Sequence, residues 1–169
     1  VIFPIIDERG VPVAFGGRVL SPDAVPKYLN TASTVLYDKS KTLYNLYGAR
    51  SSMQKTRQAI LVEGYFDVIR LSQEGVENVI ASLGTSFSES HAGLLKRFVD
   101  EVFIVFDGDN AGIQATVRGL NHLVKAGLKV RVMMLSGGQD PDAFVLHHGI
   151  DAFNERLASA MNLVEFQIR

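Results

Sequence analysis

The fold is decided by residues 59–82, which read AILVEGYFDVIRLSQEGVENVIAS. The run AILVE is typical of a buried strand, and YFDVIRLSQEG has helical periodicity and ends at Gly75, a residue type that commonly terminates helices. ENVIAS then predicts a second strand. A strand, a helix and a strand in this order predict two parallel strands joined by a right-handed crossover.

The same alternation continues toward the C-terminus. Residues 88–98 predict a helix with Ser88 as its N-cap, and EVFIVFD, residues 101–107, predicts a strand. A helix over residues 111–127 and a strand over residues 128–135 follow. We therefore predict an α/β fold with a mostly parallel four-stranded sheet flanked by helices.

The two ends of the chain have different patterns. Residues 1–20 predict an antiparallel hairpin with its turn at residues 8–10, and an irregular polar stretch continues to about Ser52. Two amphipathic runs predict helices over residues 141–148 and from Ile150 to the end. We divide the chain into a small basic α+β subdomain, a central α/β domain and a C-terminal helical segment, with bounds at 1–56, 57–142 and 143–169.

Composition indicates a globular chain that needs no covalent cross-links. Its 169 residues are 47% hydrophobic and include no Cys, which excludes cysteine catalysis and Cys-ligated metals. No apolar run reaches the roughly 20 residues that span a bilayer, and the first residues lack the basic start and long apolar stretch of a signal peptide. We therefore expect a cytoplasmic protein without a membrane partner. The sequence begins at Val1 within an apolar run, so we expect a monomeric fragment of a longer polypeptide.

Charge is distributed unevenly along the chain. Residues 1–58 contain eight Lys and Arg against four acidic residues, whereas the remainder contains nine against fourteen. Four of the five Tyr also lie in the basic part. Basic side chains interleaved with aromatic rings are typical of surfaces that contact phosphates and stack on bases. A solvated basic face with tyrosines packed beneath it is the alternative.

Acidic residues follow three of the four predicted strands. They are Glu63 after the first strand, Asp107 and Asp109 after the third, and Asp140 and Asp142 after the fourth. Because the carboxyl ends of parallel strands meet at one edge of a sheet, these carboxylates converge if the three strands are near neighbours. Converging carboxylates need a cation, and an all-oxygen set suits Mg²⁺ or Mn²⁺.

Each of these acidic groups also has a structural interpretation. Asp140 and Asp142 flank Pro141 as in an ordinary helix start, and residues 107–112 have the composition of a turn. Glu63 has less structural use, because Glu is a poor N-cap and here it ends an apolar strand.

The remaining candidate residues are glycines and histidines. Gly16, Gly17 and Arg18 end an apolar strand, and they predict either a phosphate contact through backbone amides and the guanidinium or a G1-type bulge. The four His have no partner at metal-ligand spacing, which indicates satisfied or solvent-facing side chains.

Four motifs give the central part of the chain a specific resemblance. They are E-G-Y-F-D at 63–67, S-L-G-T at 82–85, D-G-D-N-A-G at 107–112 and D-P-D at 140–142. Together they resemble the Toprim signature that bacterial primases, topoisomerases and related nucleases share.

The first fifty residues narrow this resemblance. They contain F-P-I at 3–5, F-G-G-R at 15–18, P-K-Y-L-N at 26–30 and a K-x-x-x-L-Y-x-L-like segment from Lys39 or Lys41 to Leu46. These motifs resemble the part of the bacterial DnaG-type primase RNA polymerase domain that precedes its Toprim fold. The resemblance covers nearly the whole chain, and the family's zinc-binding module, the start of its polymerase domain and its helicase-binding domain lie outside it.

The resemblance implies a set of site residues. The implied catalytic residues, which would also hold two or more Mg²⁺ or Mn²⁺ ions, are Glu63, Asp107 and Asp109, and the metal site would be completed by Asp140 and Asp142. The implied contacts to nucleic acid or nucleotide are Arg18, Lys27, Tyr28, Asn30 and Lys39. Zinc is implied only for the separate module.

The resemblance also implies an activity and partners. A protein of this family synthesises RNA primers by metal-dependent nucleotidyl transfer from NTPs on a single-stranded DNA template, at replication initiation and on the lagging strand. Its partners would be the template, NTPs, the RNA primer and, through a further C-terminal domain, the replicative helicase at the nucleoid. Two alternatives stay open: DNA cleavage by a Toprim nuclease or topoisomerase, and a nonenzymatic nucleic-acid clamp.

Overall fold

The computed structural model describes five stretches of the chain, residues 1–21, 25–83, 87–106, 119–135 and 138–168. Its first strands, β1 (Ile2–Ile6) and β2 (Pro12–Arg18), form an antiparallel pair, which confirms the predicted hairpin. A third strand, β3 (Tyr28–Asn30), pairs with β2 within the stretch that was predicted to be irregular. The basic part of the chain therefore contains a three-stranded sheet.

A second sheet is mostly parallel. Its strands are β4 (Gln58–Val62), β5 (Val79–Ala81), β6 (Glu101–Phe106), β7 (Lys129–Met134) and β8 (Met161–Asn162), in the order β5-β4-β6-β7-β8. The first four are parallel, which confirms the predicted four-stranded sheet. β8 pairs antiparallel with β7 and was not predicted, because two residues are too few to show a periodicity.

Helices follow the strands as predicted over most of the chain. They are α1 (Leu46–Thr56), α2 (Tyr65–Gln73), α3 (Glu89–Lys96), α4 (residues 119–125), α5 (Pro141–Ala158) and α6 (Leu163–Ile168), with a 3-10 turn at Lys39–Lys41. Ser88 caps α3 as predicted, since its hydroxyl accepts the His91 amide N–H at 3.1 Å. None of the described helices is long and apolar enough to span a bilayer.

Helix α1 corrects the prediction of an irregular stretch up to Ser52. Its buried residues, Leu46, Ala49 and Met53, recur at helical spacing, but polar residues occupy most of the other positions. These three side chains pack into the apolar cluster on one face of the parallel sheet. Packing of a narrow stripe, rather than a strong local pattern, therefore accounts for this helix.

The C-terminal region forms α5, β8 and α6 rather than two helices that reach the end of the chain. The predicted interruption is present, because Gly149 has a left-handed φ of 80° within α5. The helix continues beyond it to Ala158, and the chain then adds β8 to the edge of the sheet. The C-terminal segment is therefore tied to the parallel sheet.

The parallel sheet is buried on both faces. Along β4, Ala59 and Leu61 pack into one apolar cluster and Ile60 and Val62 into another, as the alternation of side chains along a strand requires. Helices α1 and α3 contribute to the first cluster, and α2 and α5 to the second. This is the layering that the alternating sequence pattern predicts.

An aromatic cluster joins the two sheets. Phe3 of β1 stacks on Tyr65 of α2 with ring centroids 4.8 Å apart, and Tyr44 meets Tyr65 edge-on at 4.7 Å. Gly16 faces the same ring, since a Cβ at Gly16 would lie 2.5 Å from the Tyr65 Cζ. Gly16 therefore permits the close approach of β2 to α2.

The glycine pair does not form the G1-type bulge that its sequence allowed. Gly16 and Gly17 pair in regular register with β1, and neither has the positive φ that such a bulge requires. The break in register between these strands lies instead at Ile5 and Ile6.

His91 is buried between α3 and the 3-10 turn. Its Nδ1 accepts the Ser88 amide N–H at 3.2 Å, so the ring proton lies on Nε2, which donates to the Lys39 carbonyl at 2.9 Å. Burial lowers the pKa of His91 below its usual value of 6.5. The satisfied side chain predicted from the sequence is confirmed for His91.

Compared with a His91→Gln variant, the protein is expected to lose stability as the pH falls below about 6.5. The unfolded chain then binds a proton at His91 that the folded protein, with its lowered pKa, does not bind. Melting temperatures of both proteins between about pH 8 and pH 5 measure the effect, and their difference cancels the contribution of other titrating groups. A difference that does not change with pH would contradict a buried neutral His91.

Candidate active site

The carboxyl ends of β4, β6 and β7 lie side by side at one edge of the sheet, because these strands are neighbours. This confirms the strand adjacency on which the predicted convergence of acidic residues depends. Glu63 follows β4 directly and is exposed. Asp107 and Asp109 follow β6 and lie outside the described residues.

Asp140 and Asp142 lie after β7, at the start of α5. The Asp140 carboxylate accepts the Ala143 amide N–H at 2.7 Å, and Pro141 begins the helix, so Asp140 is its N-cap. One oxygen of Asp142 accepts the Arg70 Nε–H at 2.8 Å in a half-buried ion pair. The helix-start interpretation is therefore confirmed, and a role for these two residues at a metal stays a prediction.

Asp67 connects the segment after β4 with the start of α5. It is part of the motif at 63–67, but the sequence predicted no role for it. One carboxylate oxygen accepts the Gly64 amide N–H at 3.0 Å, and the other accepts the Asp142 amide N–H at 3.3 Å. Burial raises the pKa of Asp67 to about 6; these amide bonds lower it, and the carboxylates of Asp140 and Asp142 raise it. Its position could have indicated this role, because Asp67 is the third residue of α2 and follows Glu63 by about one helical turn.

Arg18, the last residue of β2, lies against two aromatic rings. Its guanidinium carbon is 4.6 Å from the Phe66 ring centroid and 5.1 Å from the Tyr28 ring centroid. Nη1 of Arg18 also donates to the Tyr28 hydroxyl at 2.8 Å. Because Phe66 precedes Asp67 in α2, this contact brings the three-stranded sheet close to the acidic edge, which is the edge of the parallel sheet where Glu63, Asp140 and Asp142 follow the strands.

Tyr28 and Asn30 lie two residues apart on β3, and their side chains therefore share a face. The Asn30 Oδ1 accepts the Tyr65 hydroxyl at 2.7 Å, which links the three-stranded sheet to α2. Burial raises the pKa of Tyr28; the charge of Arg18 and its hydrogen bond lower it, and the carboxylates of Asp67 and Asp140 raise it. Tyr28 thus lies within electrostatic reach of these two carboxylates.

Lys27 and Lys39 have different surroundings. Lys27 is exposed and immediately precedes β3. Lys39 is half-buried in the 3-10 turn, where its carbonyl accepts the His91 Nε2–H. The structure therefore brings the predicted contacts of β2 and β3 together, with Lys27 beside them along the chain, and puts Lys39 in a separate segment next to α3.

The donor set at the acidic edge suits a hard cation, because all of its predicted ligands are carboxylates. Within the described ranges, no group of three or more His, Cys, Asp or Glu side chains is close enough together to hold a metal ion. Asp107 and Asp109 lie outside these ranges, so the predicted metal site stays a prediction.

Two family models match this chain. One, described as the N-terminal domain of the DNA primase catalytic core, matches residues 1–50, and the other, Toprim-like, matches residues 60–145, just over half of the chain. The chain belongs to the DnaG-type primase family. Both resemblances predicted from the motifs, to the Toprim signature and to the preceding part of a primase polymerase domain, are thereby confirmed.

Curated primases and solved primase structures are similar over the whole chain. The DNA primase of Pseudomonas aeruginosa is 44% identical, with 98% of this chain and 26% of its own length aligned, and that of Clostridium acetobutylicum is 41% identical, with 99% and 28% aligned. The catalytic domain of a DnaG primase bound to single-stranded DNA is 41% identical with a TM-score of 0.92, covering 99% of this chain and 54% of that one.

The chain therefore spans just over a quarter of the length of these curated relatives. The activity, substrates and partners of a complete primase are accordingly proposals for this chain. The predicted subdomain bounds, 1–56, 57–142 and 143–169, also stay predictions.

Proposed function

We propose that this chain is part of the catalytic core of a DNA primase, which synthesises RNA primers on single-stranded DNA by metal-dependent nucleotidyl transfer. The proposal rests on the meeting of two surfaces, the acidic edge of the parallel sheet and the basic, aromatic face of β2 and β3, at the contact of Arg18 with Phe66. Such a meeting suits a reaction that needs both a metal site and an anionic strand. The similarity to relatives named DNA primase supports primer synthesis as this reaction.

The acidic residues are assigned to the metal. The set that would hold two or more Mg²⁺ or Mn²⁺ ions consists of Glu63, Asp107 and Asp109, completed by Asp140 and Asp142. When bound, a divalent ion neutralises charge on the attacked α-phosphate and helps to activate the primer 3′-hydroxyl. Asp67 acts through the backbone, because its carboxylate holds both the Gly64 amide beside Glu63 and the amide of Asp142.

The basic and aromatic residues are assigned to the substrates. Arg18, Lys27 and Lys39 would bind phosphates of the template or of an NTP, and Tyr28, which is 42% exposed, offers a ring for stacking on a base. The Asn30 side chain accepts the Tyr65 hydroxyl, so we assign it to holding β3 against α2 beneath this surface. Together these contacts hold strand and triphosphate in line for attack, with pyrophosphate as the leaving group.

The wider role is part of the same proposal. Primers of this kind start DNA chains at replication initiation and on the lagging strand, in the bacterial cytoplasm at the nucleoid. The replicative helicase would bind through a domain outside this chain. Zinc would belong to a separate module, as in the structure of the Aquifex aeolicus primase zinc-binding and RNA polymerase domains, which is 39% identical.

Analysis of reaction products distinguishes this function from two others that would use the same surfaces. The complete protein, incubated with a single-stranded template, labelled NTPs and Mg²⁺, is expected to make short RNA, and EDTA should stop the synthesis. Fragments of DNA in place of RNA would indicate a Toprim nuclease or topoisomerase. Binding without any product, and without need of a metal, would indicate a nonenzymatic clamp.

Replacing Arg18, Lys27 or Lys39 by Ala is expected to weaken binding of single-stranded DNA or nucleotide. Each lost DNA phosphate contact should reduce the salt slope by about 0.7, because fewer counterions are released. Affinity for a single-stranded oligonucleotide is measured over a range of salt. Lys55→Ala is the control, since Lys55 is exposed near the end of α1, which leads to the opposite end of β4. Unchanged affinity and slope in all three variants would contradict the phosphate contacts and leave the basic segment with a structural role only.

A further inference from the structure

Arg18 differs from Arg57, Arg70 and Arg97 in what holds its side chain. Arg57, Arg70 and Arg97 each pair with a carboxylate. In the described stretches of the chain, no carboxylate forms an ion pair with Arg18, whose guanidinium lies instead against the rings of Phe66 and Tyr28. Among the described residues, its charge is therefore held in place by aromatic contacts and not by an ion pair.

The ring of Phe66 is itself held in a defined orientation. Phe66 is half-buried on α2 and meets Phe3 edge-on, with centroids 5.4 Å apart and an angle of 81° between the rings. Phe3 in turn stacks on Tyr65. The Phe66 ring thus rests on the aromatic cluster that joins the two sheets, and it also contacts Arg18.

We propose that Phe66 is a positioning residue that holds the Arg18 guanidinium ready for a phosphate of the bound strand or nucleotide. The proposal rests on the proposed function, in which Arg18 contacts phosphate. A ring that lies over a guanidinium covers its face. The N–H groups of Arg18 that do not donate to the Tyr28 hydroxyl are then left to bind an anion. A side chain that is already ordered also loses less conformational entropy when it binds.

Phe66→Leu is expected to weaken binding of a single-stranded oligodeoxythymidine of about a dozen nucleotides by roughly two- to fivefold, the effect of losing one exposed cation–π contact. The salt slope should not change, because the number of cations that meet phosphate is the same. Phe66→Tyr keeps the ring and should keep the affinity. Arg18→Ala should lower both affinity and slope, and adding Phe66→Leu to it should cause no further loss, because the two residues act as one unit.

Ile69→Val in the full chain controls for a general loosening of α2. Ile69 packs on the same aromatic cluster one helical turn beyond Phe66, so its truncation tests packing alone and should leave affinity unchanged. The melting temperature of each variant is measured first, and binding is then measured at a temperature at which every variant is folded. If Arg18→Ala weakens binding but Phe66→Leu does not, or if Ile69→Val weakens it as much as Phe66→Leu, the positioning role is wrong while the proposed function stands. If Arg18→Ala has no effect, both the phosphate contact and the positioning role are wrong.

Discussion

Glu63→Gln is expected to lower primer synthesis by the complete protein about a hundredfold or more, with the fold intact. The neutral amide cannot supply the negative charge that a divalent cation needs from its ligands. Glu63 is exposed beyond the end of β4, so the substitution leaves the apolar core unchanged. The rate of labelled RNA synthesis measures the effect, and the melting temperature is recorded in parallel.

Glu89→Gln is the matched control for this substitution. Glu89 is also an exposed glutamate that follows a loop, at the first position of α3, and its replacement should leave primer synthesis unchanged. Asp107→Asn and Asp109→Asn are expected to behave like Glu63→Gln. Normal primer synthesis by the Glu63→Gln protein would remove Glu63 from the site.

Gly16→Ala is expected to destabilise the protein by about 1–3 kcal/mol, a typical cost of overpacking. The new Cβ would lie 2.5 Å from the Cζ and 2.9 Å from the Cε2 of Tyr65. Tyr65 is held where it is, because it stacks on Phe3 and donates to Asn30. The three-stranded sheet must therefore move away from α2. Chemical denaturation measures the loss of stability, and oligonucleotide binding should weaken as well.

Gly17→Ala is the control at the next position of the same strand. The nearest atoms to a Cβ there, including the Ile2 Cδ1, are 3.7 Å away, which is ordinary contact. Both substitutions restrict the unfolded chain in the same way, so the difference between them isolates the contact with Tyr65. Equal stability of the two variants would contradict close packing of β2 on α2.

Most of the parallel sheet was predictable because its strands are buried on both faces and therefore appear as unbroken apolar runs. The run in β6, residues 102–106, is an example, and all five residues are buried or half-buried. The helices between such strands end at recognisable signals, such as Gly75, which has a positive φ of 87°. Strand order was not predicted, and β5 and β6, although consecutive along the chain among the strands, are separated by β4 in the sheet.

The elements that were missed depend on contacts between distant parts of the chain. Helix α1 has only a narrow apolar stripe, and its packing on the sheet is not visible in the local sequence. β8 consists of two residues whose strand conformation depends on pairing with β7. β3, with three residues, similarly depends on pairing with β2.

For the candidate site, sequence spacing indicated positions along the fold but not the partners of the side chains. Glu63 follows β4 directly as predicted, and Asp140 follows β7 as the N-cap of α5. Asp142, however, binds Arg70, which is 72 residues away, and its amide binds Asp67, which is 75 residues away. Local periodicity carries no information at such separations. The stacking of Arg18 on Phe66 was hidden for the same reason.

Anomalous scattering from a crystal of the protein soaked in Mn²⁺ tests the proposed metal site most directly, because it locates the ion without reference to activity. We expect an anomalous peak at the carboxyl ends of β4 and β6, coordinated by Glu63 and by Asp107 or Asp109. A map with no peak at saturating Mn²⁺, or with its peak away from these carboxylates, would contradict a metal-dependent active site at this edge of the sheet.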